Sequence, residues 1–392
     1  MGCRSGKRLF FHRDGADRIW GRLLWVLIIA CTCLTLIPGK AYGEPSAPPA
    51  ADARGAILMD AASGRVLWER DADKRLPMAS TTKIMTALVA LRYGDIHETI
   101  VVKSNTTRVE GSSIWLEAGE KLTLEDLLYG LMLRSGNDAA VTIAQAVGGD
   151  TDTFIRWMNE TAVALGAKDT HFMNPHGLAA EGHYTTARDL AVITREALKD
   201  PTFREIVACE RKVIPWRGHP YDRAMRNKNR LLWELPGCTG VKIGYTKQAG
   251  RCLSASAMRN GMELIAVVLD CYTYFDTCAK LLEYGFDNYT LTWAVKEGST
   301  IGQVPLANPA IDGPRAVDIL ASQGKAVLSW KDTPPAIDYT VEWKTPLFAA
   351  EDAESGPFSV HLIAPIAAGT VVGTAHYTQD GEHLADIPLT VD

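Results

Sequence analysis

Two apolar runs joined by Arg259-Asn260-Gly261 constrain the fold of this chain more than any other feature of its sequence. The runs cover residues 252–257 and 262–270, and the Asn-Gly dipeptide between them is typical of a tight β-hairpin. Near the start, the short apolar-rich runs 55–60 and 64–69 give a second, weaker hairpin signal. We therefore expect one antiparallel sheet that gathers strands from both ends of this part of the chain.

Between these strands the apolar residues recur with the period of an α-helix. In the stretch Ser80 to Tyr93 they predict an amphipathic helix that Gly94 closes. Thr123 and Asp126 form a capping-box pattern at the start of the next helix. Further helices are predicted over 138–147, around 154–165, from Thr186 onward, and over 275–284 before Gly285. Helices enclosed by strands of one sheet indicate an α+β domain.

Helical periodicity disappears beyond about Leu291. Short alternating runs follow at 341–343, 360–363, 371–377 and 387–391, and they predict a small all-β module. A chain of 392 residues suits two domains. We expect an α+β domain over 55–290 and a β-rich domain over 291–392.

The N-terminal segment differs from the rest of the chain. Six Arg and Lys residues lie within the first 22 positions, and the apolar run Leu23 to Ile37 follows them. With the small residues of Ala41-Tyr42-Gly43, this pattern indicates a signal peptide over 1–43, and the Pro/Ala-rich stretch 44–54 indicates a linker. Two alternatives stay open: an uncleaved anchor that holds the protein at the membrane, and a lipoprotein modified at Cys31.

Net charge and cysteine spacing argue against nucleic acid and metal ions as partners. There are 41 Lys and Arg residues against 46 Asp and Glu, so the net charge of -5 does not favour nucleic acid. The five cysteines that follow the signal peptide form an odd set, so at least one stays free. No Cys or His cluster has the spacing of a metal site, and we expect neither a metal nor a cofactor.

Three short motifs carry the chemistry. Ser80 and Lys83 are three residues apart at a helix start, so hydroxyl and amine project on one face. A desolvated, neutral Lys can accept the Ser proton and activate the oxygen as a nucleophile. Ser135-Gly136-Asn137 and then Lys242-Ile243-Gly244-Tyr245 follow in the chain. This order matches S-x-x-K, S-x-N and K-T-G, the signature of penicillin-recognising serine acyltransferases.

From about residue 54 to its end, the chain resembles the low-molecular-mass penicillin-binding proteins that are D-alanyl-D-alanine carboxypeptidases. The resemblance rests on the segments Pro77–Lys83, Leu133–Ala139, Asn174–Leu178, His183–Ala187 and Gly240–Thr246. It implies a β-lactamase/transpeptidase-like catalytic domain followed by a small β domain. It also implies an extracytoplasmic serine peptidase that acts on peptidoglycan pentapeptides ending in D-Ala-D-Ala and is acylated by β-lactam antibiotics.

The resemblance assigns a role to each motif residue. Ser80 is the expected acylated nucleophile and Lys83 its general base. Ser135 and Asn137 are expected to relay protons and orient the substrate. Lys242 is expected to lie across the cleft, where its charge serves the terminal carboxylate of the substrate and lowers the pKa of the catalytic Lys.

The motif around Lys242 departs from the family pattern. Gly244 and Tyr245 match it, and the backbone N–H groups of Ser80 and Tyr245 are the expected oxyanion hole. Position 243 is Ile243 where the family carries Thr or, less often, Ser, so one hydroxyl that binds the carboxylate is absent. A lost hydrogen bond to a charged group costs roughly 1.5 to 3 kcal/mol, and we therefore expect weakened acylation. Some relatives also carry an Arg after the last strand, but 271–279 contains no basic residue, so we expect recognition to depend more on Lys242 and Arg251.

Three other functions were weighed. A class A β-lactamase needs a Glu-directed water, and 170–174 contains no Glu. A catalytically weakened peptidoglycan-binding or penicillin-binding protein stays open because of Ile243, and a D,D-endopeptidase would use the same site. His176 is interpreted as a structural residue of a turn, and Asp138 as a helix N-cap.

Overall fold

The computed structural model describes residues 49–307, 309–344, 348–349 and 360–392. Within these ranges the strands are β1 (Ala53–Asp60), β2 (Val66–Arg70), β3 (Thr99–Val101), β4 (Lys121–Thr123), β5 (Arg211–Ile214), β6 (Arg223–Arg226), β7 (Cys238–Thr246), β8 (Gly250–Arg259), β9 (Met262–Cys271), β10 (Tyr289–Val295), β11 (Thr300–Ala307), β12 (Ala316–Ala321), β13 (Lys325–Trp330), β14 (Ile337–Trp343), β15 (Phe348–Ala349), β16 (Val360–Ile363), β17 (Val371–Gln379) and β18 (Glu382–Val391).

The same ranges contain eight α-helices and two short 3-10 helices. The α-helices are α1 (Lys83–Tyr93), α2 (Leu124–Leu133), α3 (Asn137–Val147), α4 (Thr151–Ala164), α5 (Ala187–Ala197), α6 (Pro201–Ala208), α7 (Leu231–Glu234) and α8 (Tyr274–Asn288). The 3-10 helices are Ala79–Thr82 and Ser104–Thr106. The predicted signal peptide and linker positions 44–48 lie outside the described residues. The last two linker positions, Ala53 and Arg54, belong to β1.

Five antiparallel strands form the central sheet in the order β2-β1-β9-β8-β7. Strands β1 and β9 pair with Ile57 opposite Val267, so the two ends of the module meet in the middle of the sheet. The predicted Asn-Gly hairpin is confirmed, because Asn260 and Gly261 have φ angles of 50° and 81° between β8 and β9. Strand β7 lies at the edge of the sheet, and this edge strand carries Lys242.

The two faces of the sheet contribute to different apolar cores. Successive side chains of a strand point to opposite faces. Ile57 and Val267 pack with the helices α1 to α6, while Leu58 and Leu264 pack with α8 on the other side. The α+β domain that the sequence predicts is confirmed, with helices on both faces of one antiparallel sheet.

Helix α1 differs from its prediction in two ways. Every residue from Lys83 to Ala90 is buried, including the polar Lys83 and Thr86. The expectation that this helix exposes a polar face is therefore wrong. The helix contacts α2, α3, α4 and α5 and is therefore enclosed on all sides. It also begins at Lys83, since Ser80 lies in the preceding 3-10 helix Ala79–Thr82.

One predicted helix cap is confirmed and one is wrong. Thr123 and Asp126 form the full capping box at the start of α2. The helix expected from Thr186 onward is α5, and the side chain of Thr186 caps it. Asp138 is not an N-cap, because Gly136 occupies that position and Asp138 is buried in the first turn of α3. Its carboxylate accepts hydrogen bonds from another loop, as described below.

The C-terminal residues form a β-rich module, as predicted. Strands β11, β12 and β14 to β18 make one sheet in the order β14-β17-β18-β12-β11-β16-β15, around a third apolar core. The turn residues Asp380 and Gly381 have φ angles of 52° and 84°. Strands β10 and β13 pair separately, and Tyr289 and Leu328 from these strands join the apolar core under α8.

The five cysteines within the described ranges are free thiols. Cys252, Cys271 and Cys278 are buried, and Cys209 and Cys238 are half-buried. None of the helices in the described part of the chain combines the length and the apolar character needed to cross a bilayer.

Gly285 was expected to end the final helix, and this expectation is wrong. Helix α8 continues through Gly285 to Asn288, and Gly285 is buried against the sheet. A Cβ atom at this position would overlap the side chain of Leu264 in β9 and lie 3.1 Å from Leu58 Cδ2 in β1. The glycine is therefore a packing residue that lets α8 approach the sheet.

Replacing Gly285 tests this close approach. Gly285→Ala adds a helix-favouring residue, worth about 1 kcal/mol, but overpacking of this kind costs roughly 1 to 3 kcal/mol. We expect a net loss of about 1 kcal/mol in the free energy of unfolding, measured by denaturant titration. In a Leu264→Ala background, which opens space, Gly285→Ala should be neutral or stabilising. Equal effects in both backgrounds would contradict the packing role.

Candidate active site

Ser80 is presented by a 3-10 turn that its neighbours hold in place. Thr81 Oγ1 donates to the Met78 carbonyl at 2.6 Å, and Thr82 Oγ1 donates to the Ala79 carbonyl at 2.8 Å. Ala79 has a left-handed φ of 48°, an uncommon conformation for a residue with a side chain. The turn thus places the half-buried Ser80 three residues before Lys83, the first residue of α1.

Two glycines allow other backbone segments to touch this turn. Gly177 has a φ of 91°, and a Cβ atom there would overlap the Ala79 carbonyl oxygen. A Cβ atom on Gly244 would lie 3.0 Å from Ser80 N and from Met78 O. Strand β7 and the loop around Gly177 therefore pack backbone to backbone against the residues that carry Ser80.

The amine of Lys83 is the centre of the site. The residue is fully buried at 0% exposure, and its Nζ lies 3.1 Å from Ser80 Oγ. Nζ also donates to Asn137 Oδ1 at 2.7 Å and to the His176 carbonyl at 2.5 Å. The structure therefore brings Ser80, Lys83 and Asn137 together, as the motifs predict.

The surroundings of Lys83 favour a neutral amine. Burial is the largest effect and holds the pKa of Lys83 well below its ordinary value of 10.5. The positive charges of Lys242 and Lys228 lower this pKa further, while Asp138 acts in the opposite direction. All three hydrogen-bond partners of Nζ are uncharged oxygens, so none of them holds the proton as a carboxylate would.

Lys242 and Lys228 carry the positive charges that lower the pKa of Lys83. Lys242 is 2% exposed on β7, and its Nζ donates to the Ile243 carbonyl at 3.0 Å. Burial, with a contribution from Lys228, lowers the pKa of Lys242 to about 7. Lys228 is exposed, and its Nζ donates to Ser112 Oγ at 3.2 Å. The motif analysis did not identify Lys228, because no motif residue specifies its distance from the other lysines.

Ser135 lies at the junction of α2 and α3, beside Asn137. It is buried and has a left-handed φ of 64°. Its hydroxyl makes no hydrogen bond with any residue in the described ranges, so a proton relay through Ser135 stays a prediction. Asn137 is held firmly, since its Nδ2 donates to the Glu110 carbonyl at 2.5 Å while its Oδ1 accepts from Lys83.

Asp138 organises the loop in front of α3. Its carboxylate accepts from the backbone N–H groups of Ile114 and Leu116, at 3.2 Å and 3.1 Å, and from Ser113 Oγ at 2.6 Å. A carboxylate that accepts several donors is a strong tie between two segments. Asp138 therefore positions the loop 112–116, whose first residue accepts the backbone N–H of Asn137 at 2.7 Å.

His176 and His183 support the Ser80 turn without facing Ser80. The His176 ring accepts the Leu178 N–H at 3.2 Å, and burial lowers its pKa to about 3. The His183 ring accepts the Met173 N–H through Nδ1, so its Nε2 carries the hydrogen and donates to Thr82 Oγ1 at 2.8 Å. The sequence analysis missed the backbone carbonyl of His176, because a main-chain acceptor carries no residue signature.

Ile243 and Tyr245 lie on the opposite face of β7 from Lys242. Ile243 is half-buried opposite Leu253 and packs against the apolar core under α8. Tyr245 is exposed opposite Arg251. The guanidinium of Arg251 stacks on Tyr272 at 4.5 Å and donates to the Tyr272 carbonyl at 3.0 Å. The contribution of Ile243 and Arg251 to carboxylate binding stays a prediction.

The arrangement supports nucleophilic chemistry by a hydroxyl. A Ser oxygen lies within hydrogen-bond distance of an amine whose pKa burial lowers well below its ordinary value, at a turn that an edge strand touches. Across the described ranges, no group of three or more His, Cys, Asp and Glu side chains is arranged to hold a metal ion.

Comparison with known proteins gives a consistent result. A family model described as D-alanyl-D-alanine carboxypeptidase matches residues 43–273. The D-alanyl-D-alanine carboxypeptidase DacF of Bacillus subtilis is 33% identical over 381 residues, which cover 94% of this chain and 93% of that protein.

Solved structures show the same similarity. Penicillin-binding protein 5 from Haemophilus influenzae superposes with a TM-score of 0.64 at 28% identity, covering 88% of this chain and 97% of that chain. The Streptomyces K15 DD-transpeptidase superposes with a TM-score of 0.59 at 32% identity, covering 61% of this chain and 99% of its own. The β-lactamase/transpeptidase-like fold that the sequence implies is confirmed.

Removal of the Lys83 amine should change how stability depends on pH. Because the folded-state pKa is lowered, the wild-type protein should lose about 1.4 kcal/mol of unfolding free energy per pH unit as pH falls from about 10 towards that pKa. Lys83→Met removes this loss, so its unfolding free energy relative to wild type should rise as pH falls, in denaturant titrations at several pH values.

The exposed Lys121 provides a matched control. Lys121→Met should follow the wild-type pH dependence, since it removes an exposed amine and leaves the buried amine of Lys83 in place. If the curves for Lys83→Met and wild type run parallel, the amine of Lys83 remains charged in the folded protein.

Proposed function

Since the chain belongs to the D-alanyl-D-alanine carboxypeptidase family, we propose that it removes the terminal D-alanine from peptidoglycan stem peptides through an acyl-enzyme at Ser80. The observation that carries this proposal is the 3.1 Å distance between Ser80 Oγ and the amine of Lys83, together with the lowered pKa of that amine. A Ser hydroxyl is a weak nucleophile until a nearby base accepts its proton.

In the acylation step, Ser80 Oγ attacks the carbonyl carbon of the penultimate D-alanine. Its proton passes to Lys83 Nζ, and the backbone N–H groups of Ser80 and Tyr245 bind the oxygen that becomes negative. The C–N bond then breaks, and the leaving amine of D-alanine takes up a proton. The Ser135 hydroxyl, which makes no hydrogen bond with another described residue, can relay this proton from Lys83.

In the deacylation step, water attacks the ester at Ser80. Lys83 accepts a proton from this water, and Ser80 recovers its hydrogen as the ester bond breaks. A β-lactam would form the same kind of ester, since its strained amide is attacked at the equivalent carbonyl. The slow step then decides whether the antibiotic acts as a substrate or as an inhibitor.

Lys242 is proposed to bind the carboxylate of the terminal D-alanine. This role requires a charged amine on Lys242, which binds the carboxylate, and a neutral amine on Lys83, which accepts the proton of Ser80. The lysine charges favour this distribution, because Lys242 lowers the pKa of Lys83 and itself titrates at about 7. Gly244 leaves space beside Ser80 N, where the reacting carbonyl would lie.

The organisation of the chain is also part of the proposal. We assign the signal peptide to 1–43, the linker to 44–54, the catalytic domain to 55–290 and the β-rich domain to 291–392. The family model ends at residue 273, and a DD-transpeptidase aligns almost completely with 61% of this chain, which supports a separate C-terminal module. The reaction is assigned to the extracytoplasmic side, where peptidoglycan lies.

A second candidate function rests on Ile243. With no hydroxyl at this position, the protein could bind peptidoglycan or penicillin and turn over slowly. A D,D-endopeptidase would cleave crosslinks through the same site. Release of free D-alanine from a pentapeptide, compared with cleavage of a crosslinked dimer, separates these functions.

Ser80→Ala should abolish acylation, because Ser80 carries the only hydroxyl of the described residues that is hydrogen-bonded to the Lys83 amine. Intact-mass spectrometry after incubation with a β-lactam, and separately with a peptide ending in D-Ala-D-Ala, measures the adduct. Ser104→Ala, an exposed serine in the same module, should label like wild type. Full labelling of Ser80→Ala would place the nucleophile elsewhere.

Ile243→Thr should raise acylation efficiency by roughly one to two decades, the equivalent of ~1.5 to 3 kcal/mol for one charge-assisted hydrogen bond. Because Ile243 is half-buried against the core under α8, a modest fall in melting temperature should accompany the gain. Ile243→Val is the matched control, since it removes volume and adds no hydroxyl. A lower melting temperature with unchanged kinetics in Ile243→Thr would show that this side chain does not reach the substrate.

A further inference from the structure

A cavity of about 310 Å³ lies beside the junction of α2 and α3, outside the Ser80 site. Its lining includes Trp115, Trp216 and Tyr221, together with Arg134 and Arg223. The walls come from the segment 113–115, from Arg134 after α2, and from the β5–β6 hairpin with its connecting loop. Nothing in the proposed acylation chemistry uses these aromatic residues.

Trp115 is held out of the core by its backbone. Its side chain is 72% exposed, and its φ of 61° is left-handed, which is costly for a bulky residue. Its neighbours Ile114 and Leu116 are buried and donate their N–H groups to Asp138. Ser113 Oγ accepts the backbone N–H of Trp115 at 2.8 Å, so the main chain that presents the exposed indole is held in place.

The facing loop is equally well fixed. Tyr221, which is 63% exposed, meets Trp216 edge to face at 5.7 Å between ring centroids. The guanidinium of Arg223 lies 4.7 Å over the Trp216 ring and pairs with the buried carboxylate of Glu120 at 2.9 Å. Two exposed aromatic side chains, Trp115 and Tyr221, therefore project from rigid loops on the same cavity.

Arg134 provides the accessible donors of this cavity, because its guanidinium makes no hydrogen bond or ion pair with another described residue. The Nε1 of Trp216 and Nε of Arg223 also have no acceptor among the described residues, but both atoms are closed to solvent. The carboxylate of Asp222 lines the cavity as well and accepts the backbone N–H of Trp216 at 3.3 Å. A ligand that suits the cavity should therefore present oxygen acceptors to the free donors of Arg134 together with an apolar surface.

The cavity adjoins the Ser80 site through shared residues. Arg134 directly precedes Ser135, and Ser112, one residue before the lining segment, accepts the backbone N–H of Asn137 at 2.7 Å. Asn137 in turn accepts from the Lys83 amine at 2.7 Å. One large substrate could therefore occupy both places at once.

We propose that this aromatic cavity binds an N-acetylated pyranose of the glycan strand that carries the stem peptide. The inference rests on the proposed function, which puts the end of the stem peptide at Ser80. A pyranose has a C–H face that packs on aromatic rings, and its acetamido and hydroxyl oxygens are acceptors for the free donors. The glycan strand is also the part of peptidoglycan that is covalently joined to the stem peptide.

A pair of substrates tests the proposal. One is a pentapeptide ending in D-Ala-D-Ala, and the other is the same peptide attached to its N-acetylated disaccharide. Trp115→Ala should lower kcat/KM for the disaccharide-peptide by about two- to tenfold, the effect of one aromatic stacking contact, and leave kcat/KM for the bare peptide unchanged. Trp293→Ala, which removes a 54% exposed Trp of β10, is the matched control and should change neither value.

A binding measurement makes the test independent of turnover. The Ser80→Ala protein should bind a soluble oligomer of N-acetylglucosamine, observed as a change in tryptophan fluorescence, and the Ser80→Ala/Trp115→Ala protein should lose this signal. Tyr221→Ala provides a second variant with the same expected loss, should Trp115→Ala fold poorly.

The outcomes separate the two proposals. If the wild-type protein neither hydrolyses the bare peptide nor reacts with a β-lactam, the proposed function fails, while the oligosaccharide measurement still decides the cavity. An equal loss on both substrates in Trp115→Ala would show that the cavity binds the peptide and overturns the glycan assignment. Absence of oligosaccharide binding, with no kinetic preference for the disaccharide-peptide, also overturns it.

Discussion

The buried amine of Lys83 sets the requirements for the rest of the catalytic module. An amine without access to water needs acceptors from the protein, and three separate segments provide them: the Ser80 turn, Asn137 in α3 and the carbonyl of His176. None of these acceptors is charged. A carboxylate in any of the three places would hold the proton on Lys83 and prevent it from acting as a base.

Bringing these segments together costs conformational free energy, and the residues that carry this cost lie beside the site. Ala79 and Ser135 both take left-handed φ angles next to the site, and Gly177 and Gly244 remove side chains so that backbones can touch. The two apolar cores on either side of the sheet stabilise this arrangement. Because burial lowers the pKa of Lys83, this side chain costs stability at neutral pH, so folding alone does not explain a lysine at this position.

Much of the fold was predictable because its signals are local. The hairpin around Asn260 depends on two neighbouring residues, and the cap of α2 on residues three apart. Gly285 shows the limit of such signals. A glycine after an apolar helical run is typical of a helix end, yet here it serves contact with Leu264, and that contact depends on how α8 packs on the sheet.

The sequence by itself determined the order of the three motifs, the identities of Ser80, Lys83 and Lys242, and the strand and helix types that carry them. These follow from side-chain chemistry and from periodicities of two and 3.6 residues, which are properties of short segments. Only the tertiary structure decided that Asp138 holds the loop beneath Trp115, and that the His176 carbonyl contacts Lys83. Burial, main-chain acceptors and distances between remote charges arise when segments far apart in the chain pack together, and no short pattern of residues specifies them.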